Sequence, residues 1–345
     1  MKKYIISADI GKFDTKLVGR SIDQSPDDMK SVCMRTKMYD LNNGYIDVEG
    51  NNSYLVKFDE KTYIVGDQGQ DKSEDTSKTN FLHKLTCYTA ITQFLEPNTK
   101  DNKIYMVLAC PLSVLLIPEA KEGYKDFIKG NGAINITVDN KDYEFEIVDI
   151  TIKAEGSGIV YLEPNIFKSK AVGIVDLGGL NMGFSLYNNL TCKKEHRFIE
   201  ECGTDRLIDL VREQLSIYKN GNLVNREIAE KALNEGGLKK AGKIDNESMP
   251  FIEAAKEKYF NEVLRHIKEH KFNIDELDEV VFIGGTAQHI KKNIAKIEHS
   301  YVPTNSQLST VEGNYKVAFK KYGSMLSSEQ DNKCEILEVG AECQA

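Results

Sequence analysis

Two glycine-marked turns constrain this sequence more than anything else in it: Asp9-Ile10-Gly11-Lys12-Phe13-Asp14-Thr15-Lys16 and, far downstream, Asp176-Leu177-Gly178-Gly179-Leu180-Asn181. The first closes the apolar run Tyr4-Ile5-Ile6-Ser7-Ala8 and the second closes Ala171-Val172-Gly173-Ile174-Val175, and each run ends at an aspartate. Short apolar runs stopped by glycine read as buried strands. One strand and turn of this kind says little. A second copy implies a repeated α/β unit and a chain of two related lobes, and 345 residues are enough to give each lobe its own core.

The intervening pattern supports that division. Leu17-Val18-Gly19-Arg20 reads as the hairpin partner of the first strand, with further strands around 32–37, 53–58 and 61–65. Across 77–94 the period changes, and Phe81, Leu82, Leu85, Tyr88, Ile91, Phe94 and Leu95 recur at helical spacing. Residues 104–110 form a central strand stopped by Pro111, strands at 134–138 and 143–152 turn at Asn140, and a short helix is expected over 155–162 before Pro164. After the second glycine turn come strands at 183–187 and 196–200 and helices at 204–217, 225–235 and 250–270. Val280-Val281-Phe282-Ile283 then runs into Gly284-Gly285-Thr286-Ala287 and a helix at 287–297, a third strand, glycine and helix joint. The boundaries expected are lobe I at 1–165, lobe II at 166–325, and a polar tail at 326–345 that frays or returns to lobe I.

Composition narrows the setting. The 41% hydrophobic content is that of an ordinary globular protein. No run approaches the roughly 20 apolar residues that cross a membrane, and Met1-Lys2-Lys3-Tyr4 enters a strand without a leader-like segment, so a cytoplasmic protein with no membrane partner is expected. A net charge of -8 argues against direct nucleic-acid binding through a broad basic surface. The seven cysteines contain no CxxC pair, and an odd number does not suit a disulfide framework. His266 and His270 stand at helical spacing without the glutamate of an HExxH site, which favours a solvated face over zinc.

In a glycine-rich turn successive backbone amides can point at phosphate oxygens, because no side chain blocks the approach. Gly11, Lys12 and Phe13 offer one such concavity and Gly178, Gly179 and Leu180 another, with Lys16 as a point charge near a β- or γ-phosphate. Asp9 and Asp176, at strand ends, suit the water shell of Mg2+, an ion that keeps several waters, or they cap their own turns. Glu155 lies 21 residues before Asp176, where it orients or deprotonates a water, or occupies a helix start as acidic residues commonly do. Gly284-Gly285-Thr286 makes either a wall for a flat adenosine ring or a tight joint. The absence of GxxxxGK[ST] and GxGxxG removes the P-loop and dinucleotide-binding readings.

Together these motifs resemble the actin, sugar-kinase and ATP-driven chaperone superfamily, and within it bacterial actin-like plasmid-segregation proteins of the ParM/StbA type. Asp9-x-Gly11 with Lys16 is similar to the first phosphate motif, Asp176-Leu177-Gly178-Gly179 to the second and Gly284-Gly285-Thr286-Ala287 to the adenosine motif, over roughly residues 4–325. Ala109-Cys110-Pro111-Leu112 and Lys153-Ala154-Glu155-Gly156 resemble the segregation branch. The resemblance implies an actin-like two-lobed α/β fold, with duplicated ribonuclease-H-like domains around a nucleotide cleft. It further implies Glu155 as hydrolytic glutamate, Asp9 and Asp176 as catalytic and metal-holding acids, Gly203 and Thr204 on the ribose side, and polar contacts from Asn225 and Glu227. Asn181 stands where relatives often carry a hydroxyl, which leaves GTP/GDP a competitor of ATP/ADP. The implied activity is ATP hydrolysis with Mg2+ in a self-polymerising filament that segregates plasmids through a DNA-binding adaptor on a centromere-like site. The rival readings are a chromosomally or phage encoded cytoskeletal filament and a small-molecule kinase of the same fold, whose substrate base is not identifiable. The short stretch after residue 330 argues against a chaperone with a peptide-binding domain.

Overall fold

A computed structural model describes residues 1–72 and 77–324; the tail expected at 326–345 lies outside the described residues. The chain divides into two compact units. The first comprises Met1–Leu162 together with the chain from Val311 onward, and the second is Glu163–Thr310.

The strands of the first unit are β1 (Lys2–Ile10), β2 (Asp14–Ser21), β3 (Lys30–Arg35), β4 (Met38–Asp40), β5 (Ser53–Phe58), β6 (Lys61–Gly66), β7 (Asn102–Cys110), β8 (Ile134–Val138) and β9 (Lys141–Ala154). Among the described residues they form one sheet in the order β3-β2-β1-β7-β9-β8-β5-β6-β4. β1 pairs antiparallel with β2 and parallel with β7, and β7 pairs parallel with β9. Central parallel strands are covered on both faces, and β1 and β7 are accordingly apolar on both. Ile6, Ala8 and Ile10 pack in one cluster with Leu85, Ala90 and Ile91 of α1 (Phe81–Thr92). Burial of each such aliphatic side chain contributes about 1.5–3 kcal/mol. Short helices α2 (Leu112–Leu115), α3 (Pro118–Lys129) and α4 (Gly158–Leu162) complete the run to the unit boundary.

The second unit repeats the central topology. After α5 (Pro164–Phe167) come β10 (Ala171–Leu177), β11 (Met182–Asn188) and β12 (Arg197–Glu200), then α6 (Thr204–Tyr218) and α7 (Arg226–Glu235). The hairpin β13 (Lys239–Lys240) and β14 (Lys243–Ile244) precedes α8 (Met249–Glu269), β15 (Glu279–Ile283), α9 (Gly285–His289), α10 (Lys291–Ile294) and β16 (Ser300–Tyr301). The sheet order β12-β11-β10-β15-β16 matches β3-β2-β1-β7-β9 strand for strand, including the antiparallel hairpin and the parallel neighbours that follow. The duplication read from two turns is therefore one of whole five-stranded units.

Three expectations change. The helix expected from 77 begins at Phe81, where Asn80 caps it by accepting from the His83 amide at 3.1 Å. The helix expected at 287–297 breaks at Ile290, because α10 turns to bury Ile294 and to let the Asn293 carboxamide donate to Glu257 of α8 at 2.6 Å. Residues 311–324, placed by the sequence reading in lobe II, pack with the first unit: the hydroxyls of Tyr322 and Thr151 are hydrogen-bonded at 2.7 Å and Arg20 donates to Tyr315 at 3.1 Å. α11 (Ser309–Ala318) begins at that return. No described helix is long and apolar enough to cross a membrane, and the described cysteines 33, 87, 110, 192 and 202 are free thiols.

Candidate functional site

In the first unit the relevant side chains gather at the C-terminal ends of β1, β7 and β9, the edge of a parallel sheet where α/β proteins place their ligands. The turn after β1 is closed by its own hydrogen bond, from the Gly11 amide to the Asp14 carbonyl at 3.0 Å. A Cβ on Gly11 would lie 2.5 Å from that carbonyl, so the glycine is required by the turn itself. The Thr36 hydroxyl, just past β3, donates to the Gly11 carbonyl at 2.6 Å. In a planar trans peptide the carbonyl and the next N–H point in opposite directions, so the Lys12 N–H faces away from Thr36. Thr15 is buried against Thr36 and Thr86 and belongs to the core.

The second unit builds the same device. The Gly178 amide donates to Asn181 at 3.0 Å. The Gly178 carbonyl accepts from the Thr204 amide at 2.9 Å, the Thr204 hydroxyl at 3.2 Å and the Thr286 hydroxyl at 3.3 Å. The Gly179 carbonyl accepts from the Asp205 amide at 2.9 Å. The turn's carbonyls thus cap α6, whose first residues lack a side-chain cap, and the Gly179 and Leu180 N–H groups face the other way. In both units a threonine following the third strand fixes the turn. The sequence reading had assigned the Gly11 and Gly178 amides to phosphate; both are spent on the turns, and the Lys12, Gly179 and Leu180 N–H groups face away from the contacts that brace them.

Gly203 and the Gly284 joint press on the same turn. A Cβ on Gly203 would meet the Gly179 carbonyl at 2.5 Å, and Gly284, at φ +90°, would bring one within 2.3 Å of the Leu177 carbonyl. The hydroxyls of Thr204 and Thr286 are 2.5 Å apart, so the second turn, Gly203-Thr204 and Gly284-Gly285-Thr286 form one cluster. Asn225 and Glu227 do not join it directly. The Asn225 side chain caps α7 by accepting from Ile228 at 2.8 Å, Glu227 is exposed, and Arg226 between them pairs with Asp205.

Asp9 and Glu155 meet through a residue that the sequence reading passed over. Glu155 stands one residue past β9, its amide held by the Cys110 carbonyl at 2.9 Å, and α4 starts only at Gly158; it is a strand-end residue, not the helix start expected. The Lys78 ammonium, its side chain only 4% exposed, is hydrogen-bonded to Glu155 Oε1 and lies 4.0 Å from Asp9 Oδ1. Burial pulls the Lys78 pKa down, but the attraction of Glu155 and Asp9 outweighs it and holds the value above the ordinary lysine range. Lys16 approaches Asp9 Oδ2 at 3.7 Å from the other side. Nothing in Ser77-Lys78-Thr79-Asn80 signals this role, since a lysine in a polar segment reads as solvated. Behind Glu155, burial raises the Cys110 thiol to about 12, so it is no nucleophile.

Among the described residues no group of three or more His, Cys, Asp or Glu is placed to hold a metal ion. With lysines on both sides, Asp9 suits a cation held through water better than one bound directly. Asp176, opposite Gly183 on β11, is half-buried at the matching position of the second unit. His270 stacks on Phe198 with ring centroids 3.9 Å apart and bonds Glu200 at 2.7 Å, on the exposed face expected.

Repeated β3-β2-β1-β7-β9 units with glycine turns at equivalent strand ends define a two-lobed actin-like α/β protein. Residues 7–158 match the family described as actin like proteins N terminal domain. An Alp12 filament structure is 50% identical, covering 93% of this chain and 100% of that one with a TM-score of 0.69. This chain belongs to the actin-like proteins related to Alp12. The fold is shared with a 15-stranded ParM filament from Clostridium botulinum (15% identity, 93% and 100% coverage, TM-score 0.71). It is also shared with the actin-like protein Alp7A (10% identity, 96% and 99% coverage, TM-score 0.75). No curated protein matches the sequence.

Proposed function

We propose that this chain hydrolyses ATP and assembles with copies of itself into filaments whose lifetime hydrolysis sets. The observation that carries the reading is the repeated glycine turn, braced in each unit by a threonine on its carbonyl, at the strand ends where Asp9, Asp176 and Glu155 stand. Self-assembly is inferred from the identity with the Alp12 filament chain.

The amides of Lys12, Gly179 and Leu180, together with Lys16, would bind phosphate oxygens, and Asp9 and Asp176 would hold Mg2+ through its waters. Bound Mg-ATP would supply the electrophilic γ-phosphoryl group and offset its charge. Glu155 would orient the attacking water and accept its proton, an effect worth about 10²–10⁴ in rate. Gly203, Thr204, Gly284, Gly285 and Thr286 would line the nucleoside side; Asn225 and Glu227 act at most through Arg226. GTP is the competing nucleotide. Cargo movement through a DNA-binding adaptor on a plasmid is compatible with the net charge of -8, which disfavours direct DNA contact.

Light scattering read beside phosphate release, with ATP and with GTP, tests this. The expected result is a concentration-dependent rise followed by decay as phosphate appears, with the Glu155→Gln polymer persisting. Phosphate transfer or release without assembly at any protein concentration would reject the filament reading and favour a kinase.

A further inference from the structure

Lys78 carries two local costs that a solvated lysine would avoid. Its ammonium is buried, which costs several kcal/mol unless it is paired. Its backbone sits at φ +58°, a left-handed conformation that costs a non-glycine residue about 1–3 kcal/mol. Such costs persist where the surroundings impose them, and here they place one cation between the two carboxylates at the ends of β1 and β9.

Resting on the hydrolytic reading of Glu155, we propose that Lys78 is a positioning residue for hydrolysis: by binding Glu155 Oε1 it locks the carboxylate so that Oε2 receives the proton of the attacking water. Free rotation of an unanchored glutamate would scatter Oε2 over several rotamers, and small misplacements of a catalytic group are costly. Lys16 approaches the opposite oxygen of Asp9, at 3.7 Å. The alternative role is plain charge neutralisation, or direct capture of phosphate by the ammonium.

A double-mutant cycle separates these roles. Lys78→Met should lower kcat by about 10²-fold, the scale of a lost acid-base contribution. The dissociation constant of a fluorescent ATP analogue should change by less than about threefold, well under the tenfold that 1.4 kcal/mol represents. Lys78→Arg, which can still donate to Oε1, should recover part of the rate. In the Glu155→Gln background, Lys78→Met should cost nothing further, because residues acting as a unit are non-additive. An equal further loss in that background, or a loss confined to nucleotide affinity, would overturn the proposal, as would full activity of Lys78→Met. If Lys78→Met alone does not fold, the arginine variant and the pair with Glu155→Gln, which removes both charges of the ion pair, decide the matter: an arginine variant without activity beside a pair slower than Glu155→Gln alone rejects it. A wild-type protein that binds the analogue but releases no phosphate would instead reject the hydrolytic reading itself.

Discussion

At Gly313 a Cβ would lie 1.8 Å from the Gly158 carbonyl, the tightest approach of any described glycine. Overpacking of this kind costs typically 1–3 kcal/mol, so Gly313→Ala should lower the denaturation midpoint measurably in a thermal or urea melt. Gly285 presents the opposite case: its nearest neighbour would be Gln307 at 3.8 Å, and its φ is not in the left-handed region. Gly285→Ala should therefore leave stability within about 0.5 kcal/mol while weakening binding of an ATP analogue, if the space above it belongs to the nucleoside. Unchanged affinity would remove Gly285 from the site. Gly285 was legible in the sequence beside Gly11, Gly203 and Gly284, but not the reason for each. Gly11, Gly203 and Gly284 are demanded by neighbouring backbone, which no linear motif reveals.

At the scale of elements, the strands came through from alternation and apolar runs, whereas helix starts and breaks depended on contacts. The start of α1 is set by the Asn80 cap, and the break at Ile290 by the packing of α10 on α8. The same distinction governs the turns. Thr204 joins α6, the second glycine turn and Thr286 through one hydroxyl, and its loss removes two hydrogen bonds while the Gly178 carbonyl keeps the Thr204 amide and the Thr286 hydroxyl as donors. Thr204→Val should cost about 0.5–1.5 kcal/mol. The urea midpoint should fall accordingly, and hydrogen exchange should speed up at the Thr204 and Asp205 amides, which donate to the Gly178 and Gly179 carbonyls, more than in β15. A uniform change across the unit would mean that the hydroxyl does not fix the turn.

At the scale of the whole molecule, the chain leaves the first unit after Leu162 and comes back to it from Val311. The return is anchored by Asp149, which accepts from Lys321 and Tyr322, each at 3.0 Å. Burial pushes the Asp149 pKa up, but the hydrogen bonds from Lys321 and Tyr322 prevail and hold it below the ordinary 3.8. The folded pKa is thus depressed. Its contribution is present above about pH 4 and is lost as pH falls through the lower folded value. Asp149→Asn should flatten the acid limb of the stability curve; an unchanged limb would show that the anchor carries no such linkage. Nucleotide binding to the folded chain should add about 2.7 kcal/mol of stability at a hundredfold excess over Kd, read as a raised melting temperature with Mg-ATP.

The sequence by itself determined the two strand-and-turn repeats, their order and the acids that end them, because hydrophobic period and turn chemistry are written among neighbouring residues. Only the tertiary structure decided which amides the turns themselves use and which cation meets Glu155. Lys78 and Glu155 are 77 positions apart in sequence and join because β7 links β9 to β1 while α1, which follows Lys78, packs on β1, a consequence of strand order and helix packing that no local pattern encodes.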